Sequence, residues 1–109
     1  MTDIENFYGT FTNFSKDYER AIAVGDHKKA NRAHSLITAL AENLEPSLRT
    51  SGLLQLLNDD IEIVRLWSTA LLLKYDRSVT AKNVLNQIAR SGSIHGLTAK
   101  AILALHYKQ

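Results

Sequence analysis

Apolar residues recur along this chain at intervals of three and four almost from end to end, the spacing of one face of an α-helix. Period-two alternation is nowhere sustained, hairpin dipeptides such as Asn-Gly are missing, and there is a single proline. The punctuation predicts about six helices. The first covers roughly 3–24: Thr2 and Glu5 have capping-box spacing, and Gly25 stands where a left-handed residue ends a helix. Its stripe is Ile4, Phe7, Tyr8, Phe11, Phe14, Tyr18, Ala21 and Ile22. The aromatics on it fit either a core face or a stacking platform, and the core face is the commoner use. Asp26 caps a second helix, about 27–44, with Ala30, Ala33, Leu36, Ile37, Leu40, Ala41 and Leu44 inward. Pro46 suits the first turn of a third, about 46–57, which Gly52 is expected to weaken or bend.

The densest apolar run is Leu53 to Tyr75, where a leucine-rich helix ends at Asn58-Asp59-Asp60 and a fourth, about 61–75, begins at once. Ile61, Val64, Leu71, Leu72 and Tyr75 make one apolar face, Ile63, Trp67 and Ala70 a second, and only Glu62, Arg65 and Thr69 a polar strip. A helix apolar on most sides is covered on most sides, so this one is expected at the centre. Asp76 caps a fifth helix, about 77–91, with Ala81, Val84, Leu85 and Ile88 inward and Gly92 closing it. Ser93 opens a last helix to about 107, with Ile94, Leu97, Ala101, Ala104 and Leu105 inward. Connections this short make consecutive helices antiparallel. The expected fold is therefore all-α: one domain over 1–109, a short right-handed α-α superhelix of three antiparallel pairs. A closed bundle is the competing arrangement, and the two-faced fourth helix favours stacking.

Within this run, Leu53-Leu54, Leu56-Leu57, Asp59-Asp60, then Val64-Arg65, Ala70 and Leu71-Leu72 resemble a HEAT repeat. The run VRLWSTALLL, followed by AKNVLNQIA and a final helix, is similar to an uncharacterised bacterial family of short HEAT-like proteins, over residues 53–107. The resemblance implies that Asp59 or Asp60 and Arg65 join a ladder of polar contacts between repeats. It implies no activity.

Bulk properties narrow the function classes. At 109 residues with 45% hydrophobic and 22% charged positions, the chain is an ordinary globular domain. It has no cysteine, which fits a reducing cytosol and removes thiolate metal sites. The acidic start MTDIENFYG does not read as a signal peptide, and no apolar run approaches the roughly 20 residues needed to span a bilayer. The expected location is cytoplasmic, with no membrane partner. Net charge is +2 but unevenly placed: residues 1–45 carry −2 and residues 46–109 carry +4.

Candidate chemistry is sparse. His27, His34, His95 and His106 are not paired at the i, i+4 spacing of a helical metal site. Asp59-Asp60 read as helix caps before they read as an acid/base pair. The five glycines are scattered rather than gathered into a phosphate loop, and no serine sits in a nucleophile elbow. The chain is expected to be no enzyme and to need no metal or cofactor. Two surfaces carry the interaction reading. One is a polar strip of Arg32, Ser35, Glu62, Arg65, Thr69 and Lys100, in which Arg65 is either exposed to a partner or tied internally to the Asp caps. The other is Ala99, Leu103 and Tyr107 on the last helix, either a self-association or partner surface or a packing contact with the preceding pair. The leading expectation is a protein-binding module, in a bacterial cytosol a toxin-neutralising protein of the immunity type. The alternative is a HEAT-like protein gripping nucleic-acid backbone, which the surplus Arg77, Lys82, Arg90, Lys100 and Lys108 favours and the small net charge opposes.

Overall fold

A computed structural model describes residues 3–75 and 79–107. Among them the chain is all-α, with six helices: α1 (Asp3–Ala23), α2 (His27–Glu42), α3 (Pro46–Leu56), α4 (Glu62–Tyr75), α5 (Val79–Arg90) and α6 (Gly96–His106). Thr2 and Asp76 as caps, and Arg77 and Lys108 in the basic surplus, lie outside the described residues. The chain divides after Gly52 into two compact units, residues 1–52 and 53–109.

In the first unit α1 and α2 form an antiparallel hairpin. Its turn is built by two neighbouring residues with different tasks. Gly25 adopts φ +73°, open to glycine without strain, and lets Asp26 N donate to Ala21 O at 2.8 Å and Gly25 N to Ile22 O at 3.1 Å. Asp26 then caps α2, its Oδ1 accepting the Lys29 N–H at 3.1 Å. Phe7, Phe11 and Ala21 from α1 are buried, as are Ala30, Ala33, Ile37 and Ala41 from α2. The Phe7 and Phe11 rings lie 5.6 Å apart in a tilted pair. The aromatic stripe of α1 is thus core at Phe7 and Phe11 and half-buried at Tyr8, Phe14 and Tyr18, and its last member, Ile22, is half exposed. Leu36, expected inward, is also exposed.

No glycine follows α2, and a side chain closes it instead. Arg49 Nε donates to Ala41 O at 2.8 Å, while its Nη2 donates to Glu42 O at 2.9 Å and Leu44 O at 3.1 Å. A planar fork of donors meets the carbonyls that a helix end leaves open. Contrary to the bend expected at Gly52, α3 runs unbroken through it. A Cβ there would stand 3.2 Å from Ile4 Cδ1 and 3.2 Å from Phe7 Cε2, so the glycine serves the close approach of α1 rather than a kink.

In the second unit α4 packs on α5, α5 on α6, and α6 touches α4. Nine of the fourteen α4 residues are buried, from Ile63 to Leu73, as a helix with two apolar faces requires. The polar ones among them spend their hydroxyls inside the helix: Ser68 Oγ donates to Arg65 O at 2.9 Å and Thr69 Oγ1 to Leu66 O at 2.7 Å. Tyr75, placed on the inner face by its spacing, is exposed where α4 ends. Gly92, at φ +76°, ends α5 as its position predicts.

The last helix starts three residues later than Ser93 and packs the opposite way from expectation. Ser93 opens a turn, its Oγ accepting the His95 N–H at 3.3 Å. Gly96 and Ala99 are buried, Leu103 and Tyr107 half-buried, and Ile94, Leu97, Ala101, Ala104 and Leu105 exposed. The residues expected inward therefore face out, and those expected outward pack. Apolar side chains surround this helix, so period alone names no face. The side carrying Gly96 and Ala99 lies against the end of α5, where a Cβ on Gly96 would stand at ordinary contact distance, 3.5 Å, from Ala89 O.

Candidate functional site

Of the residues expected on a polar strip, Arg32 and Ser35 belong to the first unit and Glu62, Arg65, Thr69 and Lys100 to the second. Thr69 is a correction: it is 0% exposed, and its hydroxyl is held by Leu66 O, so it has nothing to offer a partner. The strip on α4 stops at Arg65. That side chain is half-buried, and its Nη1 donates to Asp59 O at 2.7 Å. The internal tie expected of Arg65 exists, but to the main-chain carbonyl rather than a carboxylate. The Asp59 carboxylate is occupied otherwise, accepting the Ile61 N–H at 2.9 Å as the chain enters α4, while Asp60 is exposed. Glu62 is half-buried, its Oε2 3.4 Å from Ser91 Oγ at the end of α5. Lys100 is exposed on α6.

Leu103 and Tyr107 are also corrected. They lie on the packing side of α6 with buried Ala99, and Lys82 of α5 holds its Nζ 5.3 Å from the Tyr107 ring centroid. Of the two readings open for this strip, packing against the preceding helices is the one observed. The free apolar surface lies on the far side: Ile94 and Leu97 are each 80% exposed and Leu105 is 71% exposed. Leu97, Ala101, Ala104 and Leu105 follow i, i+4, i+7, i+8, so they form one continuous stripe along α6, with Ile94 extending it in the preceding turn. Lys100 flanks it, and α6 contains no Asp or Glu.

A second concavity, unforeseen from the sequence, lies on the α1–α2 hairpin. A groove of about 520 Å³ has Phe14, Ala21, Val24, Ala33 and Leu36 as its apolar lining, with Lys29 and Arg32 on the α2 side, Asp17 and Arg20 on the α1 side and Asp26 at the turn between them. Arg20 Nη2 pairs with Asp17 Oδ1 at 2.6 Å, so those charges answer one another. A smaller recess of about 190 Å³, lined by Phe7, Thr10, Leu40 and Leu44 with Asn6 and Asn43, continues towards the other end of the hairpin. Arg32 is thus a groove residue; Ser35 is exposed on α2 and does not line it.

No cluster of three His, Asp or Glu side chains able to hold a metal ion occurs among the described residues. No helix among them is long and apolar enough to cross a membrane. Two surfaces stand open: one apolar stripe on α6, and one groove on the α1–α2 hairpin with an apolar floor and a charged rim. No family model matches the chain, and no curated protein or solved structure is significantly similar to it.

Proposed function

We propose that this chain is a non-enzymatic, HEAT-like binding module whose target is another protein. The observation that supports it is the stripe on α6, where Leu97 and Leu105 lie 71–80% exposed on one face, with Ile94, 80% exposed, in the turn before the helix. Isolated exposed apolar residues are ordinary, whereas a contiguous stripe on one helix is the kind of surface that protein partners cover. Lys100 at its edge, with no acid on α6 to answer it, favours a partner that brings a carboxylate over self-pairing of two α6 helices. The finer reading is a bacterial, cytoplasmic, toxin-neutralising protein that blocks a partner by occupying it, a role that asks for a small rigid scaffold and no chemistry of its own.

The double variant Leu97→Asp/Leu105→Asp tests the reading. Both positions are exposed, so helicity by circular dichroism is expected to stay unchanged. A protein retained by the wild type in one-to-one ratio and lost from the variant is the expected result. Equal retention by both overturns it, and so does a wild-type dimer that the variant dissolves, since the stripe would then be the chain's own interface. Loss of the partner's enzymatic activity on addition of one equivalent of this chain is the outcome expected of the toxin-neutralising reading.

A further inference from the structure

We infer that the α1–α2 hairpin carries a second docking site, for an amphipathic helix with acidic residues at one end. It rests on the protein-binding reading but uses a different surface in the other unit, so the two can fail separately.

The geometry is that of a groove between two antiparallel helices. On α1 the lining positions Thr10, Phe14, Asp17 and Ala21 share one face, and on α2 Lys29, Ala33, Leu36 and Leu40 share the facing one. The two recesses therefore lie on one line along the hairpin. At 1.5 Å per residue the 16 residues of α2 give this line a length of about 24 Å, the span of a four-turn helix rather than of a compact small molecule. The floor is made of small side chains, Ala21 and Ala33, both buried, between larger ones, Phe14 and Leu36. Small residues flanked by large ones form the depression that receives a ridge of side chains from a third helix.

Charge fixes the chemistry of the occupant and its direction. Among the described residues, Arg20 is paired with Asp17. Asp26, which also lines the groove, caps α2 through the Lys29 main-chain N–H and keeps its charge. Asp17, Arg20, Asp26, Lys29 and Arg32 thus leave the lining with a net charge of +1. The side chains of Lys29 and Arg32, both exposed at the groove, have no ion-pair partner among those residues. Lys28 adds a further cation in the same turn, and the first turn of α2 holds no acid. Lys28 and Lys29 oppose helix stability and offset part of the Asp26 cap, because the start of a helix is the positive end of its dipole and favours acidic side chains. Local chemistry set against the fold is what a functional surface produces. The far recess has the uncharged Asn6, Thr10 and Asn43 as its polar lining. An occupant helix would therefore place its carboxylates over the start of α2 and neutral residues over the far end.

A display library of 16-residue peptides tests this. The peptides carry a fixed helical pattern of leucines, and their remaining positions are drawn from Asp, Glu, Lys, Arg, Ser and Asn. Wild-type protein is expected to enrich peptides with Asp or Glu at one end by about tenfold or more over the input, a factor worth about 1.4 kcal/mol. With Lys29→Glu/Arg32→Glu as bait the enriched charge is expected to invert, and with Leu36→Asp enrichment at this surface is expected to vanish. All three substitutions are at exposed positions. Lys29→Glu alone is also expected to raise the urea midpoint, by removing a cation from the helix start, while it loses acidic peptides. The same peptides recovered from wild type and the charge-reversed bait, or recovery without charge preference, would overturn the inference. Loss of acidic peptides with Leu97→Asp/Leu105→Asp, and not with the groove variants, would overturn it while leaving the protein-binding reading in place.

Discussion

Around an apolar core, several polar side chains are spent on main-chain groups. Thr69 and Ser68 return their hydroxyls to carbonyls of α4, Arg65 donates to Asp59 O, and Arg49 closes α2. Arg49 is the sharpest case, because α2 ends without a glycine and one guanidinium donates to the carbonyls of Ala41, Glu42 and Leu44. Arg49→Ala is expected to lower stability by about 1–2 kcal/mol in urea titration, the range for charge-assisted bonds that are only partly buried. Arg49→Lys should recover little of it, since an ammonium cannot reach three carbonyls with a planar fork. A lysine variant as stable as wild type would show that charge near the helix end, and not the fork, is what matters. None of this was legible in the sequence: an arginine three positions after a proline carries no mark of the helix it will close.

At the scale of elements, glycine marks different things in different places. Gly25 and Gly92 end helices at φ +73° and +76°, and their positions between periodic runs gave that away. Gly52 looked like a weak point and is a contact point, with Ile4 and Phe7 3.2 Å from where its Cβ would be. Gly9 is exposed in α1 with nothing near its missing Cβ. Gly9→Ala is therefore expected to stabilise the protein by about 0.5–1 kcal/mol through helix propensity. Gly52→Val is expected to destabilise it despite the same propensity argument, because a branched side chain displaces the Phe7 ring. Thermal melts of the two variants check this, and shifts of the same sign would refute the distinction. The elements themselves were legible, since five of six helices begin within two residues of the expected start. The face of α6 was not. Its apolar residues surround the axis, and the side that packs carries Gly96 and Ala99, which contribute least to any hydrophobic pattern.

For the molecule as a whole, charge is the property that separates the two broad readings of function. A net charge of +2 over 109 residues is small for a protein that grips duplex backbone. Of the cations counted towards that role, Lys82 lies over the Tyr107 ring and Arg90 Nε donates to Asn86 O at 3.3 Å. Affinity for duplex DNA is expected to be weaker than a dissociation constant of about 10⁻⁴ M at physiological salt. Tighter binding that falls steeply as salt rises would favour the nucleic-acid reading instead. By itself the sequence determined the helices and the ends marked by Gly25, Asp26, Asp59 and Gly92, because period and turn chemistry are local and each residue type carries its own preference. It also determined that α4 would be covered, since an apolar surface on two sides leaves no alternative. Only the tertiary structure decided which surfaces stay open. The buried place of Thr69, the outward stripe of α6 and the groove with Lys29 and Arg32 on its rim all depend on which neighbour approaches and how closely. That is set by the sizes of facing side chains, a relation between segments that no single stretch of sequence contains.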